Sequence, residues 1–178
     1  GKDIIDWVKL ANEDKWQSLN YTSLITYGVG FNSKINFNEI FGKKFFIKNM
    51  KFSYAYLYSD KPANEYISNY ALDYLIHNSS LTVFHTIISK LAATWSFTYQ
   101  SRNGTFSKYD TETSQTSEEK YMPVYLLNGK IFWTDKFFEI YVSATNILNQ
   151  SYYDLGNIQM PGIWITGGLK LNFTFNEE

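Results

Sequence analysis

Cysteine is absent from this 178-residue chain, proline occurs three times, arginine once, and no stretch of about 18 apolar residues runs unbroken. Without a thiol there is no disulfide framework, thiolate metal site or cysteine nucleophile, which fits a secreted bacterial protein as well as a cytosolic one. Without a long apolar run there is no transmembrane helix, although a membrane crossed by strands is untouched by that argument. The opening GKDIIDWVKLANEDKW has no charged start leading to an apolar block and a small-residue cleavage site, so no signal peptide is read there. The chain is then either mature or a piece of something longer. A formal net charge of −1 provides no global field for nucleic acid, and none is expected as a partner.

Aromatic residues are plentiful. Fifteen Tyr, fourteen Phe and five Trp make up 19% of the chain, a composition that favours strands. Several segments alternate with a period of two. Leu91, Ala93, Trp95, Phe97 and Tyr99 oppose Thr94, Ser96, Thr98, Gln100 and Arg102, and Phe138, Ile140, Val142 and Ala144 oppose Glu139, Tyr141, Ser143 and Thr145. Near the end, Ile163, Ile165, Leu169, Leu171 and Phe173 share one face. Near the start, Leu19, Tyr21, Ile25, Tyr27, Val29 and Phe31 do the same. Breaks at turn-like stretches predict about eight strands, over residues 2–10, 15–37, 44–59, 69–88, 91–103, 120–133, 137–149 and 162–175, within one domain.

The connections alternate in kind. Those at 38–43, 89–90 and 134–136 are short, whereas those at 60–68, 104–119 and 150–161 are long and rich in Asn, Ser, Thr, Asp and Glu. An up-and-down antiparallel sheet puts every second connection at the same end, and transmembrane β-barrels of the outer membrane follow this rhythm with short periplasmic turns and long outer loops. Tyr and Trp near predicted strand ends, among them Trp7, Trp16, Tyr58, Tyr99, Tyr121, Trp133 and Trp164, suit the lipid–water boundary. A soluble sandwich or lipocalin-like barrel shows the same alternation, because the pattern does not record whether the apolar face meets lipid or core.

The segment FFEIYVSATNILNQSYYDLGNIQMPGIWITGGLKLNFTF resembles the C-terminal hairpin of TonB-dependent outer-membrane receptors. Thr145, Asn146, Ile147, Leu148 and Asn149 form the strand-ending turn, Tyr152 and Tyr153 the aromatic loop, and Pro161 and Gly162 lead to Gly168, Leu169, Leu171 and Phe173. GKDIIDWVK is similar to a strand of the cobalamin-receptor-like members, and the middle of the chain fits by rhythm. The resemblance implies an all-β fold, an up-and-down antiparallel transmembrane β-barrel, with residues 1–178 as about eight C-terminal strands of a wall of about 22 strands whose plug domain lies outside this chain. It implies TonB-dependent uptake of a bulky nutrient, a corrinoid first and an iron–siderophore complex second, with membrane lipid around the wall and the TonB complex engaging an N-terminal region absent from this chain. In one respect the chain departs from the family: Phe173 and Phe175 are followed by Asn176, Glu177 and Glu178, where family members end at or near an aromatic residue. The alternative is a self-contained eight-stranded barrel with a structural, adhesive or small-ligand-binding role, in which the first strand must pair with the last.

Parity places 11–14, 60–68, 104–119 and 150–161 on the outside, where most charges are acidic. The candidate ligand-binding residues of loops and rim are Arg102, Asp110, Glu112, Tyr152, Tyr153 and Asp154. Clustered carboxylates would suit Ca²⁺ through oxygen ligands, though Asp110-x-Glu112 is too short for a calcium loop, and no other cofactor is expected. Arg102 stands on the predicted lumen face, within reach of Asp73 or Glu139 or of an anionic substrate. His77 and His85 lie eight residues apart on one strand, about 26 Å, too far for one metal ion. Ser79 and Ser80 beside His77 lack a nucleophile-elbow pattern, and Gly28 to Phe31 (GVGF) lacks the third glycine and the helix of a phosphate cradle, so no enzyme is expected.

Overall fold

In the computed structural model, residues 2–10, 15–60, 66–68, 74–156 and 158–173 are described. The chain is all-β apart from one helical turn. Its elements are β1 (Lys2–Leu10), β2 (Gln17–Ser23), β3 (Ile25–Asn36), α1 (Phe37–Phe41), β4 (Ile47–Asp60), β5 (Tyr66–Ser68), β6 (Leu75–Ile88) and β7 (Leu91–Arg102). They continue with β8 (Thr105–Asp110), β9 (Gln115–Lys120), β10 (Val124–Thr134), β11 (Phe138–Thr145), β12 (Tyr153–Leu155), β13 (Ile158–Gln159) and β14 (Trp164–Leu171). Seven strands form one antiparallel sheet in the order β14-β11-β10-β7-β6-β4-β3, an up-and-down meander.

The predicted rhythm is there, with corrections. The stretch read as one strand, 15–37, breaks at Leu24 into β2 and β3, and β2 belongs with β1 and β5 to a separate three-stranded sheet. The predicted strand 120–133 begins only at Val124, because Gln115–Lys120 pairs back on Thr105–Asp110 as a hairpin inside the loop read at 104–119. The loop at 150–161 likewise holds the small β12–β13 hairpin, and the connection at 38–43 contains α1, whose Asn36 side chain caps the amide of Asn38. Residues 69–73 and 174–175, read as parts of strands, lie outside the described residues. The sheet is open. Its outer strands β14 and β3 do not pair with each other, and β1 pairs with β2 and β5.

Register sorts the side chains into two faces, since directly opposite residues in an antiparallel pair point the same way. On one face Tyr56, His77 and Ser101 begin a field that continues through Phe52–Leu81–Phe97–Leu127 and Met50–Val83–Trp95–Gly129. It runs on through Ile131–Val142, Trp133–Ile140–Leu169 and Ala144–Ile165. Among the described residues nothing covers this face. Val29 is 64% exposed, Val142 55%, Ile165 66% and Leu169 60%. Buried apolar side chains among the described residues are confined to Val8, Ala92, Ala93, Phe106 and Val124, so the core that a soluble sandwich needs is not formed here.

The opposite face is polar and bridged strand by strand. Hydroxyl pairs join Thr26 to Ser59 at 2.9 Å, Ser53 to Ser80 at 2.8 Å, Thr82 to Ser96 at 3.2 Å and Ser143 to Thr166 at 2.7 Å, each between directly opposed residues. Such pairs contribute about 0.2–1 kcal/mol each. The Lys130 ammonium sits 2.8 Å from Glu139 and 4.3 Å from the centre of the Tyr141 ring. The two histidines lie on the apolar face and are occupied there: the Tyr54 hydroxyl and His77 Nδ1 are 2.9 Å apart, and Trp95 Nε1–H donates to His85 Nε2 at 3.1 Å.

Two glycines give aromatic rings room. Trp95 lies across its partner Gly129, where an added Cβ would come within 2.5 Å of Trp95 Cζ3, and Tyr141 covers Gly168 in the same way. Gly129→Val is therefore expected to cost about 1–3 kcal/mol by displacing the indole. Gly30→Val, whose added Cβ would meet only Tyr54 O at 3.8 Å, should stay within about 0.5 kcal/mol. Urea unfolding of both variants in detergent micelles, followed by tryptophan fluorescence, measures the difference.

Candidate functional site

The turn from Thr145 to Asn149 is built around one side chain. Asn146 is buried, with a left-handed φ of 48°. Its Nδ2 donates to Gln150 O at 2.9 Å and Pro161 O at 3.1 Å, while its Oδ1 accepts from Gln150 N at 3.0 Å. Its own amide donates to Asn128 Oδ1 of β10 at 2.9 Å. Asparagine suits this position because its short amide tolerates the left-handed region and offers both donors and an acceptor. Asn149, also at positive φ, accepts Ile163 N on its Oδ1, and a Cβ on Gly162 would lie 2.6 Å from that oxygen. Gln150 completes the frame by donating to Pro123 O and accepting from Tyr125 N. Asn146, Asn149 and Gln150 thus fasten both ends of the 150–161 loop to β10 and β14.

That loop carries Tyr152, Tyr153 and Asp154 to the end of β7. Arg102 Nη2 meets Asp154 Oδ1 at 2.8 Å, and its guanidinium lies 5.5 Å from the centre of the Tyr121 ring. The Tyr121 hydroxyl accepts Gly156 N at 3.1 Å, its ring is 5.1 Å from Phe106, and Phe106 stacks on Tyr153 at 4.7 Å. Burial, and then the Asp154 carboxylate, hold the Tyr152 phenol above its usual pKa. Phe106, Tyr121, Met122, Tyr152 and Tyr153 line a notch of about 90 Å³. Glu119, Lys120 and Ser151 complete the lining, so the notch offers ring faces to a flat or bulky apolar group with a carboxylate and an ammonium in its wall and the Arg102 guanidinium beside Tyr121.

Four of the six predicted residues, Arg102, Tyr152, Tyr153 and Asp154, therefore gather at one place. The other two do not join them. Asp110 and Glu112 sit at the tip of the β8–β9 hairpin, where Asp110 Oδ1 accepts the amides of Glu112 at 2.8 Å and Thr113 at 3.4 Å. Of the partners expected for Arg102, Glu139 is engaged by Lys130 toward the other end of the sheet, and Asp73 lies outside the described residues; Asp154 meets the guanidinium instead of Glu139. No group of three or more His, Asp or Glu placed to hold a metal ion occurs among the described residues. Phe106, Tyr121 and Met122 were missed as site residues. Tyr121 stood only as an interface aromatic, and Phe106 was one apolar residue in a polar loop.

Comparison with known proteins finds no matching family model, no matching curated protein and no matching solved structure. No helix among the described residues is long and apolar enough to cross a membrane, which says nothing of a β-barrel.

Asn146→Ala removes three side-chain hydrogen bonds and leaves buried carbonyls and an amide unanswered, so it is expected to cost roughly 2–4 kcal/mol. It should also expose Tyr152 and Tyr153 to proteolytic nicking, measured by limited digestion against the parent chain. At the hairpin tip, the amide of Glu112, then the Thr113 hydroxyl and, to a lesser extent, its amide, hold the Asp110 carboxyl below its ordinary pKa. Its contribution is present above the ordinary carboxylate range and is lost as pH falls through the lowered folded value. Amide exchange at Glu112 and Thr113 should accelerate only below that range, and at every pH in Asp110→Ala.

Proposed function

We propose that this chain is a stretch of outer-membrane β-barrel wall and rim, of the TonB-dependent receptor kind, serving the uptake of a bulky nutrient. The observation that carries the reading is the uncovered apolar face of a seven-stranded meander, backed by a face of hydroxyl pairs and ion pairs. Water on one side and hydrocarbon on the other is the environment in which both faces are satisfied. The main strands run from eight to fourteen residues, near the span that a tilted strand needs to cross a bilayer.

The free edges at β3 and β14 favour a place in a larger wall over a self-contained eight-stranded barrel, since a small barrel has to bring its first and last strands together. In this reading the short turns at α1, 89–90 and 134–136 face the periplasm, and the β8–β9 and β12–β13 hairpins face outward. The notch beside Arg102 then contributes to ligand contact. At about 90 Å³ it admits an edge of a corrinoid or siderophore complex, because whole-ligand pockets run to roughly 300–1,000 Å³. Coupling to the TonB complex would belong to regions outside this chain.

Single-tryptophan variants retaining Trp95 or Trp133, reconstituted in vesicles of brominated phosphatidylcholine, test the wall. Strong quenching of both is expected, with Trp95 at mid-strand quenched by deeper bromines than Trp133 beside the turn. Unquenched indoles would overturn the membrane reading. An immunoblot of native outer membranes with an antibody to residues 104–119 then tests the receptor: a band several times heavier than 20.8 kDa is expected, and one at that mass would leave only a small barrel.

A further inference from the structure

On the polar face, charges at the β10–β11–β14 side of the sheet are matched. Lys130 meets Glu139 at 2.8 Å, and Lys170 stands directly opposite the same Glu139 in the β11–β14 register. At the β3–β4 pair the arrangement is reversed. Register sets Lys34 directly opposite Lys51, and like charges so placed destabilise a strand pair unless something neutralises them. Among the described residues no hydrogen bond or ion pair engages either ammonium.

Both lysines border a hollow of about 400 Å³ that Asn32, Ser53, Ser80 and Thr82 also line, with no carboxylate in its wall. Each ammonium offers three donors and no acceptor. The Ser53–Ser80 pair consumes one of its two hydroxyl hydrogens, and the Thr82–Ser96 pair does likewise, so one hydrogen in each pair remains free to turn outward. Of the side chains lining the hollow, which include Ser33 and Phe52, all but the Phe52 ring can donate, and two positive charges border it. The complement is an oxyanion.

We propose that Lys34 and Lys51, with Ser53, Ser80 and Thr82, form a site on the inner wall for a carboxylate or phosphate group. The inference rests on the polar face being the barrel interior. The group belongs either to a ligand passing through the lumen or to an acidic side chain of another part of the protein resting against the wall. Lysine suits the task because its ammonium swings on a flexible stem and serves phosphate or carboxylate as a point charge.

The test is a titration of the lipid-nanodisc protein, carrying ¹⁵N-lysine, with inorganic phosphate and separately with acetate. Saturable shifts of the Lys34 and Lys51 Nζ signals are expected. Lys51→Gln and Lys34→Gln should each weaken phosphate binding at least about tenfold, Lys51→Arg should keep most of it, and Lys170→Gln should leave it unchanged. Phosphate binding that tightens as pH drops from about 5.5 to 3.5 marks a protein carboxylate as the resident anion, and binding indifferent to that change marks a site open to a ligand. Non-saturating shifts, or equal effects of Lys51→Gln and Lys170→Gln, would overturn the site and leave two solvated lysines. Maleimide labelling in the same nanodiscs separates this from the barrel reading: Thr82→Cys should react from water and Leu81→Cys should be shielded by lipid. Loss of that asymmetry sinks the barrel, whereas a failed titration with the asymmetry intact sinks only the anion site.

Discussion

A sheet satisfies its backbone sideways, through hydrogen bonds to neighbouring strands, and leaves its two faces to be settled by their surroundings. In this chain the ladder from β3 to β14 is continuous, and one face receives no cover from the described residues. Large side chains such as Val29, Phe31, Ile165 and Leu169 each remain more than half exposed, and burying one of them fully is worth about 1.5–3 kcal/mol. Across seven strands that sum far exceeds the net stability of an ordinary domain. The apolar face is therefore the constraint to which everything else answers: it demands an apolar solvent or a partner as broad as itself.

The polar face answers the complementary demand. Hydroxyl pairs across four strand pairs hold register without apolar packing, which a thin single-layer wall cannot supply from a core. Rings laid over glycines, Trp95 on Gly129 and Tyr141 on Gly168, cover backbone that would otherwise lie bare on each side. Register is fixed locally by cross-strand pairs in a molecule that has no interior to fix it globally.

Legibility in the sequence followed the same division. Leu91–Arg102 was predicted to within a residue because its alternation is unbroken and one face is uniformly apolar. The break at Leu24 was invisible, since the period of two from Leu19 to Phe31 runs straight through it while the backbone changes partners from β1 to β4. The β8–β9 hairpin was read as loop because, apart from the buried Phe106 and the exposed Tyr109, polar residues fill both of its faces and no alternation marks the strands. α1 is too short to show helical periodicity. At the site, Tyr152, Tyr153 and Asp154 were legible as an aromatic loop beside a recognisable turn. The meeting of Arg102 with Asp154, and of Phe106 with Tyr121 and Tyr153, was not, because each joins residues from different connections and depends on how two hairpins settle against each other.

The link between wall and rim lies in Asn146. A loop that must meet a ligand is useful only if its side chains wait in place, since every rotamer ordered at the moment of contact subtracts from affinity. Free loops of this composition would sample many arrangements. Here the amide of Asn146 ties both ends of the 150–161 segment, and its backbone is anchored to Asn128 within the sheet. Arg102 at the end of β7 then meets Asp154 from the opposite direction. An exposed ion pair of this kind contributes little stability by itself, on the order of 0.2–1 kcal/mol, so its effect is on position rather than on fold. The order of the sheet thereby extends into the 150–161 segment, and the aromatic notch is positioned by side chains of the turn and the strand end together with Asp154 of the loop itself.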